Sequence, residues 1–176
     1  PLEEYLPPRA QQDLRRDLAS RIIGAERRRY EGSVLSVDSL LEAPPGRVPL
    51  SVIYLGHISD FTEQSLVLAQ ICADIYRWMR RKGGAGGLRM LLYVDEVGGG
   101  DGRYAFYPSA PYNPPSKAPL ALIVKQGRSA GVGTLLATQN PVSVDVRALG
   151  NVSTWGVGRL TRKNDLDRVG DLLETL

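Results

Sequence analysis

Short apolar runs alternate along this chain with longer amphipathic stretches, and this order constrains the fold more than any other feature. The apolar runs span 48–55, 88–94, 133–137 and 155–160, and the amphipathic stretches span 60–82, 117–130 and 164–173. The runs are short and branched, as in buried strands, while the stretches repeat apolar residues at helical spacing. Strands that alternate with helices form a parallel sheet with helices on both faces. The sequence therefore predicts an α/β fold.

Polar side chains follow two of the predicted strands at the point where each strand ends. Asp95 and Glu96 come directly after the second apolar run, and Thr138 and Gln139 come after the third. In parallel α/β sheets, ligands bind at the carboxyl ends of the strands. We therefore treat these four residues as candidate site residues.

The apolar strand that ends in Asp95 and Glu96 has the pattern of a Walker B segment. Nucleotide hydrolysis requires a magnesium ion that neutralises phosphate charge and a carboxylate that orients and deprotonates the attacking water. Asp95 is the candidate magnesium ligand, acting through water, and Glu96 is the candidate general base. Thr138 and Gln139 can contact the terminal phosphate from the neighbouring strand. The alternative, that Thr138 and Gln139 only cap a turn before Pro141, stays open.

Arg128 lies near the end of the second amphipathic stretch. Its planar guanidinium suits phosphate, and an arginine donated by a neighbouring subunit can stabilise a transferring phosphoryl group. Arg128 is therefore a candidate arginine finger. A surface arginine near a helix C-terminus, where positive charge is favoured, is the alternative.

The positive charge of the chain is concentrated near its N-terminus. Residues 9–29 contain seven arginines and three acidic residues in an amphipathic helical pattern. Arg27, Arg28 and Arg29 are candidate contacts to DNA or to a neighbouring subunit. A solvated helix face is the alternative.

A long stretch, 98–115, joins the second apolar run to the next helix and is rich in glycine, proline and aromatic residues. It is longer than a simple connection requires, and such loops often carry function. Arg103 and the aromatic residues are candidate contacts to nucleic acid or to a neighbouring subunit. A loop ordered only by packing is the alternative.

The composition excludes several classes of protein. A single cysteine, Cys72, and a single histidine, His57, rule out an internal disulfide and the usual Cys/His zinc cluster. No nucleophile elbow surrounds the histidine, which argues against a serine hydrolase. No apolar run approaches the roughly 20 residues of a membrane-spanning helix, and residues 1–8 do not resemble a leader. We expect a cytoplasmic protein with an N-terminal basic helix and linker, 1–46, and a core, 47–176.

Several segments match the linked motifs of one ATPase family. They are, in order, Leu92 to Glu96, Asn113 to Lys117, Lys125 to Arg128, Gly131 to Gly133, Leu136 to Pro141, Asn151, Thr154 and Trp155, Gly158 to Thr161, and Asn164 and Asp165. Together they resemble the HerA/FtsK-type hexameric DNA translocase ATPases. The resemblance covers about 48–173.

The resemblance implies a RecA-like core, a homohexameric ring and ATP-driven movement along double-stranded DNA, in some cases beside a partner nuclease. ATP and Mg²⁺ are the implied cofactors. By motif position, Asp95 is the magnesium acid, Glu96 the catalytic base and Gln139 the sensor. Arg128 takes the position of the trans-acting finger, and Arg159, in another matched segment, could also reach an interface, as could Arg162 beside it.

The chain departs from that family in one motif. A P-loop is G-x-x-x-x-G-K-[ST], and no lysine in this chain follows a glycine. The glycine-rich stretches 83–87 and 98–102 do not lead from a strand into a helix, so we interpret them as loops. Since the family carries its phosphate loop upstream of these motifs, we expect a part of the ATPase core that binds little ATP or Mg²⁺ by itself. An inactive, shortened relative is the other possibility.

Two further hypotheses stay open. One is a DNA-binding or assembly module that needs no nucleotide and uses the basic N-terminal helix. The other is a phosphorelay receiver, since Asp95 and Thr138 end successive strands. The receiver hypothesis lacks the expected early acidic pair and a lysine after the last strand.

Overall fold

The computed structural model describes residues 7–23, 36–99, 103–145, 147 and 150–174. The chain divides into two compact units, Pro1–Leu35 and Ser36–Leu176, and each is described by itself. In the first unit, helix α1 spans Pro8–Ile23. The helix predicted from Arg9 onward is confirmed to this point, and Arg27, Arg28 and Arg29 lie outside the described residues.

The second unit contains short strands and longer helices in alternation. Its elements are α2 (Val37–Leu40), α3 (Phe61–Lys82), β1 (Met90–Val94), α4 (Lys117–Gln126), a 3-10 turn (Gly127–Ala130), β2 (Val132–Leu136), a second 3-10 turn (Pro141–Ser143) and α5 (Lys163–Glu174). Strands β1 and β2 are parallel, with Met90 opposite Val132 and Val94 opposite Leu136. Helix α4 makes the crossover between them. The chain is therefore an α/β protein, as its sequence predicts.

Helix α3 forms the centre of the core. Asp60 caps its first turn by accepting a hydrogen bond from the Glu63 amide at 2.8 Å, and Gly83 follows its last residue with φ of 67°. The predicted apolar stripe is buried along its whole length, at Leu68, Ile71, Cys72, Ile75, Trp78 and Met79. Burial of each large apolar side chain contributes about 1.5–3 kcal/mol. Burial also raises the pKa of the Cys72 thiol to about 12, so this cysteine is an inert core residue.

The predicted helix 117–130 changes character near its end. It is α-helical to Gln126 and continues as the 3-10 turn before Gly131, whose φ of 74° ends it. Ser116 precedes the helix but does not cap it. Its buried hydroxyl donates to the Phe106 carbonyl at 2.8 Å instead, which ties the 103–115 chain to the core.

Two predicted strands are wrong. Residues 48–55 form no strand, and Val48 and Leu50 are 91% and 90% exposed. Residues 155–160 form no strand either. A strand requires a hydrogen-bonded neighbour, and the sheet in the described part of the chain has two strands only. Branched apolar sequence alone does not supply that neighbour.

The sheet is covered on one face. Met90, Leu92 and Val94 point into the core, whereas the alternate residues Leu91 and Tyr93 are 59% and 54% exposed. The sequence predicts helices on both faces of the sheet, and among the described residues the helices cover one face. No helix in the described ranges combines the length and the apolar character needed to cross a membrane.

Candidate functional site

The two acidic residues lie directly after β1, at the carboxyl end of the sheet. The Asp95 carboxylate accepts a hydrogen bond from the Glu96 amide at 3.1 Å. The Asp95 carboxylate, as a nearby hydrogen-bond acceptor, raises the pKa of the Tyr93 hydroxyl. Tyr93 points to the exposed face of the sheet, and Asp95 is exposed as well. Tyr93 is not among the site residues predicted from the sequence, although its position two residues before Asp95 predicts that both side chains lie on the same face of the sheet.

Glu96 has an unusual backbone conformation. Its φ is 52°, the single positive φ at a non-glycine residue in the described part of the chain. Such a conformation costs about 1–3 kcal/mol and persists where surrounding contacts impose it. The contact of its side chain is with Gln139, whose Nε2 donates to Glu96 Oε1. The structure therefore brings together two of the predicted site residues from two different strand ends.

The chain after Glu96 packs closely against the chain after β2. The Val97 amide donates to the Ala137 carbonyl at 3.0 Å. A Cβ added at Gly98 would lie 2.4 Å from Thr138 Oγ1 and 2.6 Å from the Asn140 carbonyl, so only glycine fits this position. The relative position of the two strand ends is therefore fixed by the backbone as well as by side chains.

Thr138 and Gln139 differ in what they contact. Thr138 Oγ1 accepts a hydrogen bond from the Asn140 amide at 3.0 Å, the arrangement of a turn cap. Gln139 reaches across to the acid. The Thr138 oxygen therefore caps the turn, as the alternative interpretation predicts, whereas the Gln139 side chain contacts Glu96.

Arg128 lies at the opposite end of the sheet. It belongs to the 3-10 turn before Gly131, whose carbonyl accepts from the amides of Arg89 and Met90 at the start of β1. A strand of this length spans roughly 13 Å. Arg128 is exposed and does not meet Glu96 within one chain. Arg103 is also exposed, in the turn that follows the acidic segment, which is formed by Asp95 and Glu96.

Asp95 and Glu96 are the candidate ligands for a metal ion at the carboxyl end of the sheet. No group of three or more Asp, Glu, Cys or His side chains that could hold a metal occurs among the described residues. Asp95 offers an exposed carboxylate with hard oxygen atoms, which suits a magnesium ion that keeps most of its waters. The donor set fits a hydrated ion that is bound together with phosphate oxygens.

A second charged cluster was missed by sequence analysis. Asp145 is 4% exposed and pairs with Lys117 Nζ at 2.8 Å and with the Arg147 guanidinium at 3.0 Å. Hydrogen bonds from Arg147 hold the pKa of Asp145 well below its usual range. No local pattern links Lys117 to Asp145, because the fold alone brings them together.

Comparison of the chain with protein-family models finds no match. Comparison with curated proteins finds none either.

Proposed function

We propose that this chain forms the Walker B half of the ATP hydrolysis site in a DNA translocase of the HerA/FtsK type. The observation that carries the proposal is the contact between Glu96 and Gln139. It joins a carboxylate and an amide from the carboxyl ends of two adjacent parallel strands, where α/β proteins bind nucleotides. The α/β order and the parallel register support a RecA-like core, and the resemblance adds a homohexameric ring and double-stranded DNA as the substrate.

Asp95, Glu96 and Gln139 have different roles in the proposed hydrolysis reaction. Bound Mg²⁺ would neutralise phosphate charge, and Asp95 would hold the ion. Glu96 orients the attacking water and accepts its proton. Gln139 holds Glu96 by one carboxylate oxygen, which leaves Oε2 for the water. Because Glu96 is already oriented toward the water, it does not need to reorganise during the reaction, and the barrier to hydrolysis is lower.

Arg128 serves a neighbouring subunit in this proposal. Its distance from Glu96 along the sheet excludes a role at the site of its own chain, and its exposure leaves it available at an interface. In a ring, an arginine on one subunit can approach the nucleotide held by the next. A partner nuclease beside such a ring belongs to the same resemblance.

The second candidate function is DNA binding or assembly without a nucleotide. The observation that favours it is α1, where Arg9, Arg15 and Arg16 are exposed in a helix that carries few acidic residues. Salt-sensitive DNA binding that requires no nucleotide would favour this function over the motor.

The test is the substitution Glu96→Gln in a protein that contains this chain together with a phosphate loop. Loss of the base should lower DNA-stimulated ATP hydrolysis by about 100-fold or more, while ATP binding remains. Glu42→Gln, at an exposed position away from the sheet, is the matched control and should hydrolyse at the normal rate. Undiminished turnover in Glu96→Gln would remove the assigned role.

A further inference from the structure

An open cleft lies beside α4, away from the acidic segment. It has a volume of about 620 Å³, within the usual range for small-molecule sites of roughly 300–1,000 Å³. Its floor is one face of α4, where Lys117, Ala121 and Lys125 follow at four-residue intervals. Its walls are the loop around Tyr107 and Tyr112 and the chain around Asp145. The alanine in the middle of the floor leaves the room that a larger side chain would fill.

The electrostatics of the cleft favour an anion. Residues 103–151, which supply all of its lining, contain five cationic side chains and one carboxylate. Three of the cations, Lys117, Lys125 and Arg147, line the cleft together with the single carboxylate of Asp145. The lining therefore has a net charge of +2, from three positive charges and one negative charge. The two lysines are about 12 Å apart along the helix axis, so positive charge lies at both ends of the floor.

Two of the three cationic groups, Lys117 and Arg147, are held in place by Asp145, and Arg147 and Lys125 have donors available for a ligand. Asp145 accepts from Arg147 Nε at 3.2 Å and from the terminal nitrogen Nη2 at 3.0 Å, which fixes one edge of the guanidinium. Arginine has five N–H donors, so most remain for a ligand. Arg147 is further positioned through its carbonyl, which accepts from Asn151 at 2.7 Å. Lys125 is exposed and forms no ion pair with any residue that the structure describes.

From this geometry we propose that the cleft binds the phosphate group of a nucleotide unit, with Arg147 and Lys125 as its ligands. A guanidinium that is held at one edge presents a fork of donors, which matches the oxygens of a phosphate. Tyr112, 40% exposed on the wall, offers a face on which the base can stack. A free mononucleotide and the backbone of DNA share this chemistry.

The cleft is distinct from the acidic segment, and phosphate binding there requires neither Mg²⁺ nor hydrolysis. Ligand binding in the cleft and ATP hydrolysis at the acidic segment can therefore be measured separately. Glu96→Gln should leave phosphate binding in the cleft unchanged, because Glu96 does not line it. A failure of the motor proposal and a failure of this proposal are thus distinguishable.

The experiment uses the whole 176-residue chain without Mg²⁺. Adenosine monophosphate, adenosine and a short fluorescein-labelled DNA duplex are titrated separately, by calorimetry for the small ligands and fluorescence anisotropy for DNA. We expect the phosphate-bearing ligands to bind and adenosine to bind at least about tenfold more weakly, because the charge-assisted hydrogen bonds are lost. Binding of adenosine monophosphate indicates a mononucleotide site, and binding of DNA alone indicates a backbone site; both support the phosphate proposal.

The variants assign the binding to the cleft. The double variant Lys125→Gln with Arg147→Gln should weaken phosphate binding at least about tenfold. It should also reduce the slope of log K against log salt concentration for DNA binding by about the value expected for the loss of two phosphate contacts. Arg77→Gln with Arg80→Gln removes the same charge from exposed positions on α3 and should change little. Lys125→Gln alone, at an exposed position on α4, keeps the Asp145 cluster intact and should give a smaller loss in the same direction. The proposal is overturned if neither phosphate ligand binds with Kd below about 1 mM, or if the control pair weakens binding as much as the cleft pair.

Discussion

The carboxylates of Asp95 and Glu96 and the carboxylate of Asp145 lie in the same compact unit but in opposite electrostatic settings. Asp145 is buried and paired with two cationic side chains. Asp95 and Glu96 have neutral donors instead: the Glu96 amide donates to Asp95, and the Gln139 amide donates to Glu96. Among the described residues, no lysine or arginine forms a salt bridge with either of them.

The difference shows what each group is available to do. The charge of Asp145 is already compensated, so its effect is to position Lys117 and Arg147. The charges of the acidic pair are oriented but not compensated, which is the condition for attracting a cation. Neutral hydrogen-bond donors can fix the direction of a carboxylate and leave its charge for a ligand.

The largest expected effect is on stability, from Asp145→Asn. The substitution leaves the Lys117 ammonium, which is 11% exposed, without its counter-charge, and loss of one partner from such a pair costs about 3 kcal/mol. The Arg147 guanidinium also loses its partner, but it stays hydrated because its side chain is largely exposed. Urea unfolding followed by circular dichroism measures the difference.

Asp95→Asn is the matched control for that measurement. Its carboxylate is exposed and has no cationic partner among the described residues, so the free energy of unfolding should stay within about 0.5 kcal/mol of the parent value. Equal losses at the two positions would remove the distinction between a compensated and an uncompensated carboxylate.

Gln139→Ala tests whether the neutral contact orients Glu96. In a protein that includes a phosphate loop, the loss of this positioning should lower ATP hydrolysis by about 10–100-fold with little change in KM for ATP, because in the proposed mechanism the contact orients the base and does not bind the nucleotide. Steady-state kinetics give the two parameters separately. Thr138→Ser keeps the oxygen that caps the turn and should retain nearly full activity. A rise in KM without a fall in kcat would show that Gln139 contacts the nucleotide instead.

The sequence contained enough information for the elements that depend on local pattern. The stripe from Leu68 to Met79 and the cap at Asp60 follow from helical periodicity and side-chain chemistry within a few residues. The meeting of Glu96 and Gln139 also followed, because parallel strands joined by one crossover place their carboxyl ends at the same edge.

Features that depend on distant partners were not predictable in the same way. The run 48–55 has the composition of a strand, but a strand forms only beside another strand. The Asp145 cluster is assembled from two segments that flank β2, and neither segment has a charge pattern of its own. The positive φ of Glu96 could not be predicted from the sequence either, because glutamate rarely adopts this backbone conformation.

A smaller effect is expected in the pH dependence of stability. The pKa of Asp145 is depressed in the folded protein, chiefly by its hydrogen bonds from Arg147. A depressed carboxyl pKa contributes stability that is fully present above the unfolded pKa of about 4 and is lost as the pH falls below it. The free energy of unfolding should therefore fall from pH 5 to pH 3 more steeply in the parent chain than in Asp145→Asn. If the free energy of unfolding has the same pH dependence in both proteins, Asp145 does not contribute to acid unfolding.

The smallest expected effect is the heat of mixing this chain with ATP and Mg²⁺ at the acidic pair. Asp95 and Glu96 orient a hydrated cation but supply no backbone cradle or lysine for the phosphates, and a P-loop depends on both. Calorimetry should give a Kd above about 1 mM for this site. The titration is made in Lys125→Gln with Arg147→Gln, so that phosphate bound in the α4 cleft does not contribute. Micromolar affinity in that variant, abolished by the further substitution Asp95→Asn, would mean that the uncompensated carboxylate pair binds Mg-ATP without a phosphate loop. The proposed division of the hydrolysis site between this chain and a separate phosphate loop would then be wrong.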